Sequence, residues 1–346
     1  MTVTFSSTYI SRDKPWLAPL AGYSDLPFRL LCRELGAGVC VTEMVSAKGL
    51  IFGTNATARL VATTSADTPL VVQIFGAEPE YIGLGMDYLL EHGFTYFDLN
   101  AGCPVPKVAK SGSGAVMLKT PETLYKVAET MVERAGTGNV GIKFRLGWDT
   151  QNINCLEIGQ ELERLGAGWL SLHPRTARQG YSGTADWSYI RRLVEAVDIP
   201  VIASGDLHTA EDGIRCLDET GAAAIMFARG ALSDPAIFAK FNALINSRPI
   251  APTTGADIAS LARRQADLIR EQCGDAMRTL YRMRSIIPRY VKSLPGARSI
   301  RKRITACVEW EELQRIIADI EQTDCPTSKN CAFRDDETSP AATGEM

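Results

Sequence analysis

The chain has 346 residues, 45% of them apolar and 22% charged, a globular balance that excludes disordered and fibrous classes. No uninterrupted apolar stretch reaches the ~18 residues a membrane helix needs, and Met1–Lys14 lacks the basic start and apolar core of a secretory signal. Nine cysteines, none in a CxxC, read as the reduced thiols of a cytoplasmic protein. The net charge of −3 is unevenly placed: Arg278–Arg303 holds nine basic residues and no acid, whereas Thr323–Met346 carries five acids against two bases. Local density governs attraction to phosphates, so the basic run outweighs the average.

In chain order, eight short apolar runs predict strands: Trp16–Leu20, Gly38–Glu43, Leu70–Phe75, Thr95–Leu99, Val140–Arg145, Trp169–His173, Pro200–Ser204 and Ala223–Phe227. Helical periodicity fills the intervals, as at Leu156–Leu165, and Thr120-Pro121-Glu122 reads as an N-cap with proline in the first turn. Eight strands alternating with helices predict a (β/α)8 TIM barrel over residues 1–245, with a doubly wound open sheet as the alternative. The alternation stops after Phe241. Residues 246–256 read as a linker, 257–322 as a small all-helical domain broken at Leu294-Pro295-Gly296, and 323–346 as a disordered tail.

Barrel chemistry gathers at the C-terminal ends of strands. Those ends present Pro19-Leu20-Ala21, Glu43, Gln73, Asn100 to Pro104, Lys143 to Arg145, His173 to Arg175, Ser204-Gly205-Asp206 and Ala228-Arg229. Taken singly, Gln73 reads as a hydrogen-bonded plug, His173 as a core histidine and Lys143 as half of a salt bridge. Together they converge on one mouth. The turn at Gly205-Asp206 and the Arg229 end follow the last two strands, where such barrels bind phosphate. A phosphate-bearing cofactor beside a lysine suggests FMN, because a cation stabilises the anionic reduced ring. Cys103, between glycine and proline in a strand-end loop, is either an inert core thiol or a proton donor to a C=C bond under reduction.

The segment Asp98-Leu99-Asn100-Ala101-Gly102-Cys103-Pro104, followed by Lys107 and Lys110-Ser111-Gly112-Ser113-Gly114, resembles the signature of the tRNA-dihydrouridine synthase family. Ala18-Pro19-Leu20-Ala21-Gly22, Thr42-Glu43-Met44-Val45, Val72-Gln73-Ile74-Phe75-Gly76, Lys143-Phe144-Arg145-Leu146-Gly147 and His173-Pro174-Arg175-Thr176 continue the match in order, from about residue 15 to 320. The resemblance implies an FMN enzyme that reduces uridines in tRNA with NADPH, hydride going to C6 and a proton from Cys103 to C5. Pro19, Leu20, Ala21, Gln73, Lys143, His173, Ser204, Gly205, Asp206, Ala228 and Arg229 would then surround the cofactor. Glu43, Asn100, Lys107, Arg145 and Arg175 would serve the substrate, and Arg298, Arg301 and Arg303 the RNA backbone. Ser204 stands where the family usually has asparagine, and Ala228 where it usually has glycine. No metal and no membrane partner are expected, and the chain is expected to be a monomer. Two other readings remain open on the sequence: an RNA-binding protein whose barrel no longer turns over, and an FMN barrel acting on a free pyrimidine such as dihydroorotate. The basic run likewise reads either as an RNA contact or as a solvated face.

Overall fold

A computed structural model describes residues 5–53, 55–274 and 276–323. Among them nine strands run parallel: β1 (Trp16–Leu17), β2 (Val39–Val41), β3 (Val45–Ser46), β4 (Leu70–Phe75), β5 (Phe97–Ala101), β6 (Val140–Arg145), β7 (Trp169–His173), β8 (Val201–Ser204) and β9 (Ala224–Phe227). From β3 to β9 each strand pairs with the next in sequence, β1 pairs with β2 and closes on β9, and β2 pairs with β4 rather than β3, so the sheet is a closed barrel with helices between the strands. β3 pairs only with the end of β4 and prolongs the line of β2, so nine strands make eight staves. This is a TIM barrel.

The interruption of the second stave differs from the continuous run expected through Glu43. Thr42 turns its Oγ1 to accept from the Gln73 N–H at 3.1 Å, and the Glu43 carboxylate accepts from the Gly22 N–H. Side chains there take over from the backbone ladder. β5 also starts and ends two residues later than expected, which puts Asn100 and Ala101 inside the strand. Thr120 does sit at the N-cap before Pro121, but without a side-chain capping bond.

Strands of an all-parallel sheet are covered on both faces, hence the unbroken apolar runs. Inside the barrel, Trp16 and Trp169 lie 5.9 Å apart with Phe5 edge-on to Trp16 at 5.7 Å, so the helix Phe5–Tyr9 stoppers the end remote from the strand C-termini. Gly141 is required there, because a Cβ would lie 1.9 Å from the Trp169 indole.

Beyond the barrel, helices Gly255–Cys273, Met277–Tyr290, Ala297–Ala306 and Trp310–Glu321 enclose a separate apolar core that includes Ile269, Leu280, Ile287 and Ile317. The first begins two residues before the expected 257, with Thr254 and Asp257 forming a capping box. Besides the break at 294–296, one helix ends at Cys273 before the next begins at Met277, and another ends at Ala306 before Trp310, which periodicity did not signal. This bundle docks on the barrel helix Leu26–Glu34. Leu268 packs with Leu26, Leu30 and Leu31, Arg264 pairs with Glu34 at 2.7 Å, and Arg282 pairs with Asp25 at 2.7 Å. The tail expected from 323 lies, from residue 324 on, outside the described residues. No helix among the described residues is long and apolar enough to cross a membrane.

Candidate active site

The strand C-termini surround a chamber of about 380 Å³ that communicates with a recess of about 100 Å³. Pro19, Leu20, Lys143, His173 and Arg229 line both. Ala21, Gln73, Asn100, Cys103 and Arg145 face the larger space, and Ser204, Gly205, Asp206 and Ala228 the smaller. Glu43 and Arg175 are buried outside both, and Lys107 sits on the helix Pro106–Ala109 at the edge of a neighbouring cavity of about 450 Å³.

Cys103 leaves β5 through a loop held by a chain of carboxamides. Its N–H and that of Gly102 donate to Asn100 Oδ1 at 3.0 and 3.2 Å, and Asn100 Nδ2 donates to Gln73 Oε1 at 2.8 Å. Gln73 Nε2 in turn donates to Asp98 Oδ2 at 2.6 Å. Gly114 closes the loop from behind with φ +67, where a Cβ would stand 2.6 Å from the Cys103 carbonyl. Burial raises the thiol above its ordinary value of 9.0, against smaller lowering by a Val105 backbone bond and the Arg145 charge. Cys103 is therefore a protonated thiol through neutral pH.

Burial lowers Lys143, an effect that attraction to Asp98 partly offsets, and burial raises Asp98. His173 is driven well below its ordinary value by burial and by the charges of Arg145, Lys143 and Arg175. Its Nε2 lies 3.3 Å from Arg175 Nη1. A guanidinium only donates, so Nε2 accepts and the ring proton is on Nδ1. The histidine is neutral, with a donor left for a ligand.

The two arginines expected at the substrate are engaged with the protein. Arg145 donates to the carbonyls of Gly102, Thr176 and Gly180 at 2.9, 3.0 and 2.7 Å. Arg175 grips both oxygens of Asp206 at 2.9 and 2.7 Å and reaches the carbonyls of Ser182 and Gly183. They tie the loop after β7 to its neighbours. Asp206 adopts φ +53 and collects Ala185 N–H at 2.7 Å and Arg229 Nη2 at 3.1 Å as well. Burial would raise its carboxyl, but bonds from His208, Arg175 and Ala185 prevail and hold it well below the usual carboxylate range. It thus aims Arg229 into the recess rather than meeting an anion itself.

Tyr181, which sequence reasoning missed, lines both spaces and is 55% exposed. Arg229 lies over its ring at 4.9 Å and Arg145 at 5.6 Å. Its only sequence signal is an aromatic residue in a strand-to-helix loop.

At Gly205, φ is +109 and a Cβ would stand 2.6 Å from His173 Cδ2. Gly205→Ala is therefore expected to destabilise the fold by about 1–3 kcal/mol through overpacking, measured by urea denaturation. A change below a few tenths would mean that the recess floor yields freely.

Of the nine basic residues in Arg278–Arg303, several are already partnered. Arg282 pairs with Asp25, Arg289 donates to the Tyr23 hydroxyl at 2.5 Å, Arg303 pairs with Asp319 at 2.6 Å and Arg284 lies over Tyr281. Arg298, Arg301 and Lys302 are exposed on the helix Ala297–Ala306, with no ion-pair partner among the described residues. Tyr290 is buried in the bundle core, whereas Tyr281 is half exposed.

The chain matches the family described as Dihydrouridine synthase (Dus) over residues 16–324. It belongs to the dihydrouridine synthase family. A "Probable tRNA-dihydrouridine synthase" of Treponema pallidum is 32% identical over 313 residues, covering 88% of this chain and 92% of that one. "Probable tRNA-dihydrouridine synthase 1" of Synechocystis sp. is 34% identical, covering 83% and 80%. The tRNA-dihydrouridine synthase B of Xanthomonas axonopodis pv. citri is 35% identical, covering 66% and 69%. The matched span of the family runs through the barrel and the helical bundle alike.

Proposed function

We propose that this dihydrouridine synthase family member reduces the C5=C6 bond of uridines in tRNA in the cytoplasm, with FMN as cofactor and NADPH as electron source. The observation that carries the reading is the Cys103 thiol facing the same chamber as Lys143 and His173. The residues fit the cofactor. Gly205 lines the recess with its backbone where a Cβ would press on His173, and Arg229 has donors without a protein acceptor among the described residues. Both belong to the recess, as a phosphate site after the last two strands would require. Lys143 would meet the ring system and Arg229 the phosphate.

When bound, reduced FMN supplies the hydride. Cys103 gives its proton to the neighbouring ring carbon, so the base gains two hydrogens and the thiolate is left to be reprotonated. The neutral His173 donates from Nδ1, and Lys143 supplies positive charge beside the reacting groups. Asn100 holds the thiol's loop, and Arg145 and Arg175 hold the loop that carries Tyr181 across the mouth.

The test uses purified protein, tRNA prepared without dihydrouridine, and NADPH or NADH. A flavin absorbance spectrum that bleaches faster with NADPH, and dihydrouridine in the digested tRNA, are the expected results. Bleaching without dihydrouridine in tRNA, but with turnover of a free pyrimidine, would reassign the substrate. A colourless protein that binds tRNA would make it an RNA-binding module.

A further inference from the structure

The chemistry proposed above leaves Asp98 without a part. It lies on β5 two residues before Asn100, so both side chains leave the same face of the strand. The residue is 2% exposed, and its Oδ1 has no hydrogen-bond partner among the described residues. A buried carboxylate with an unpaired oxygen costs stability, and an apolar side chain would suit a barrel interior better. Its other oxygen starts the chain that ends at Cys103.

That chain has a direction. Asp98 Oδ2 accepts from Gln73, whereas a carboxamide can present either end. The acceptor at Asp98 obliges Gln73 to turn its NH2 inward at 2.6 Å, and so to offer its carbonyl to Asn100 at 2.8 Å. Asn100 must then present its own carbonyl to the N–H groups of Gly102 and Cys103. Were Gln73 reversed, Asn100 would turn its NH2 toward those two N–H groups, donors against donors, and the loop would lose its anchor.

We propose that Asp98 is a positioning residue for the proton donor: through Gln73 and Asn100 it sets the orientation of both carboxamides and so the placement of the Cys103 thiol. The inference rests on the reading of Cys103 as the acid. A rival role would have Asp98 serve only as the negative charge facing Lys143.

Two variants separate these. Asp98→Asn keeps an acceptor for Gln73 but removes the charge, and Asp98→Leu removes both. With enzyme first reduced by NADPH and then mixed with tRNA, Asp98→Leu is expected to slow dihydrouridine formation about 100-fold, within the range of a misplaced general acid. Bound flavin and the KM for tRNA should stay at parental values, and Asp98→Asn should recover most of the rate. Joined to Cys103→Ala, Asp98→Leu should add no further loss. Parental rates in Asp98→Leu, or equal losses in the Asn and Leu variants, would overturn the proposal, the second in favour of the Lys143 role. A Cys103→Ala enzyme at full rate would instead remove the reading beneath it, and the proposal with it. If Asp98→Leu does not fold, Asp98→Ser, whose hydroxyl stops short of the Gln73 amide, carries the same expectation and the same refutation.

Discussion

Cys103→Ala is expected to slow dihydrouridine formation by ~10²–10⁴-fold, the contribution of a positioned acid, while flavin content and NADPH oxidation stay unchanged. The separation follows from the geometry. The thiol faces the large chamber, whereas Gly205, Asp206 and Ala228 line the recess and Cys103 does not. The pH dependence has a definite sign. Because burial raises the thiol above 9.0, Cys103 stays protonated as pH climbs through neutrality, and its loss of the proton should add an alkaline limb beyond that value, above the deprotonation of Lys143, which burial lowers to about 8. The alanine variant should lack this limb. Full-rate single turnover by the variant would make Cys103 a packing residue.

The second large effect concerns the exposed helix Ala297–Ala306. Replacing Arg298, Arg301 and Lys302 together by alanine is expected to weaken tRNA binding and to lower the log–log salt slope by roughly 2–3, since each phosphate contact contributes roughly 0.7–0.9. Across a fourfold change in salt this amounts to about a 30-fold smaller loss of affinity than in the parent. Arg303 is left intact because Asp319 already neutralises it at 2.6 Å. Flavin reduction by NADPH should be unaffected. Equal slopes for variant and parent would place the RNA elsewhere.

The staves of the barrel were legible because strands covered on both faces must be apolar throughout, and Val140–Arg145 and Trp169–His173 were recovered to the residue. The break in the second stave was not, because it depends on the Thr42 and Glu43 side chains bonding to the backbone of Gln73 in β4 and of Gly22 in the loop after β1. Strand ends likewise revealed Gln73, Cys103, Lys143 and His173, since polar side chains at those positions need a reason. Direction was hidden. Nothing local says that Arg145 and Arg175 turn to carbonyls and Asp206, or that Arg282 and Arg289 reach back to the barrel, as these contacts join residues far apart in the chain. Tyr181 escaped because its position beside His173 and Arg229 is created by the fold of its loop.

The seam between bundle and barrel has a further consequence. Tyr23, which lines the chamber, accepts from Arg289, and Asp25, which caps the next helix, is paired with Arg282. One short turn thus belongs to the reaction chamber and to the bundle's footing at once. If the exposed basic helix holds the RNA, as the salt series tests, the contacts of that turn set the span between this hold and the chamber, and a rigid, folded RNA is then positioned by distance. Altering the footing at Asp25 or Tyr23 would then shift which nucleotide arrives at Cys103, while alterations inside the chamber would change only how fast it reacts.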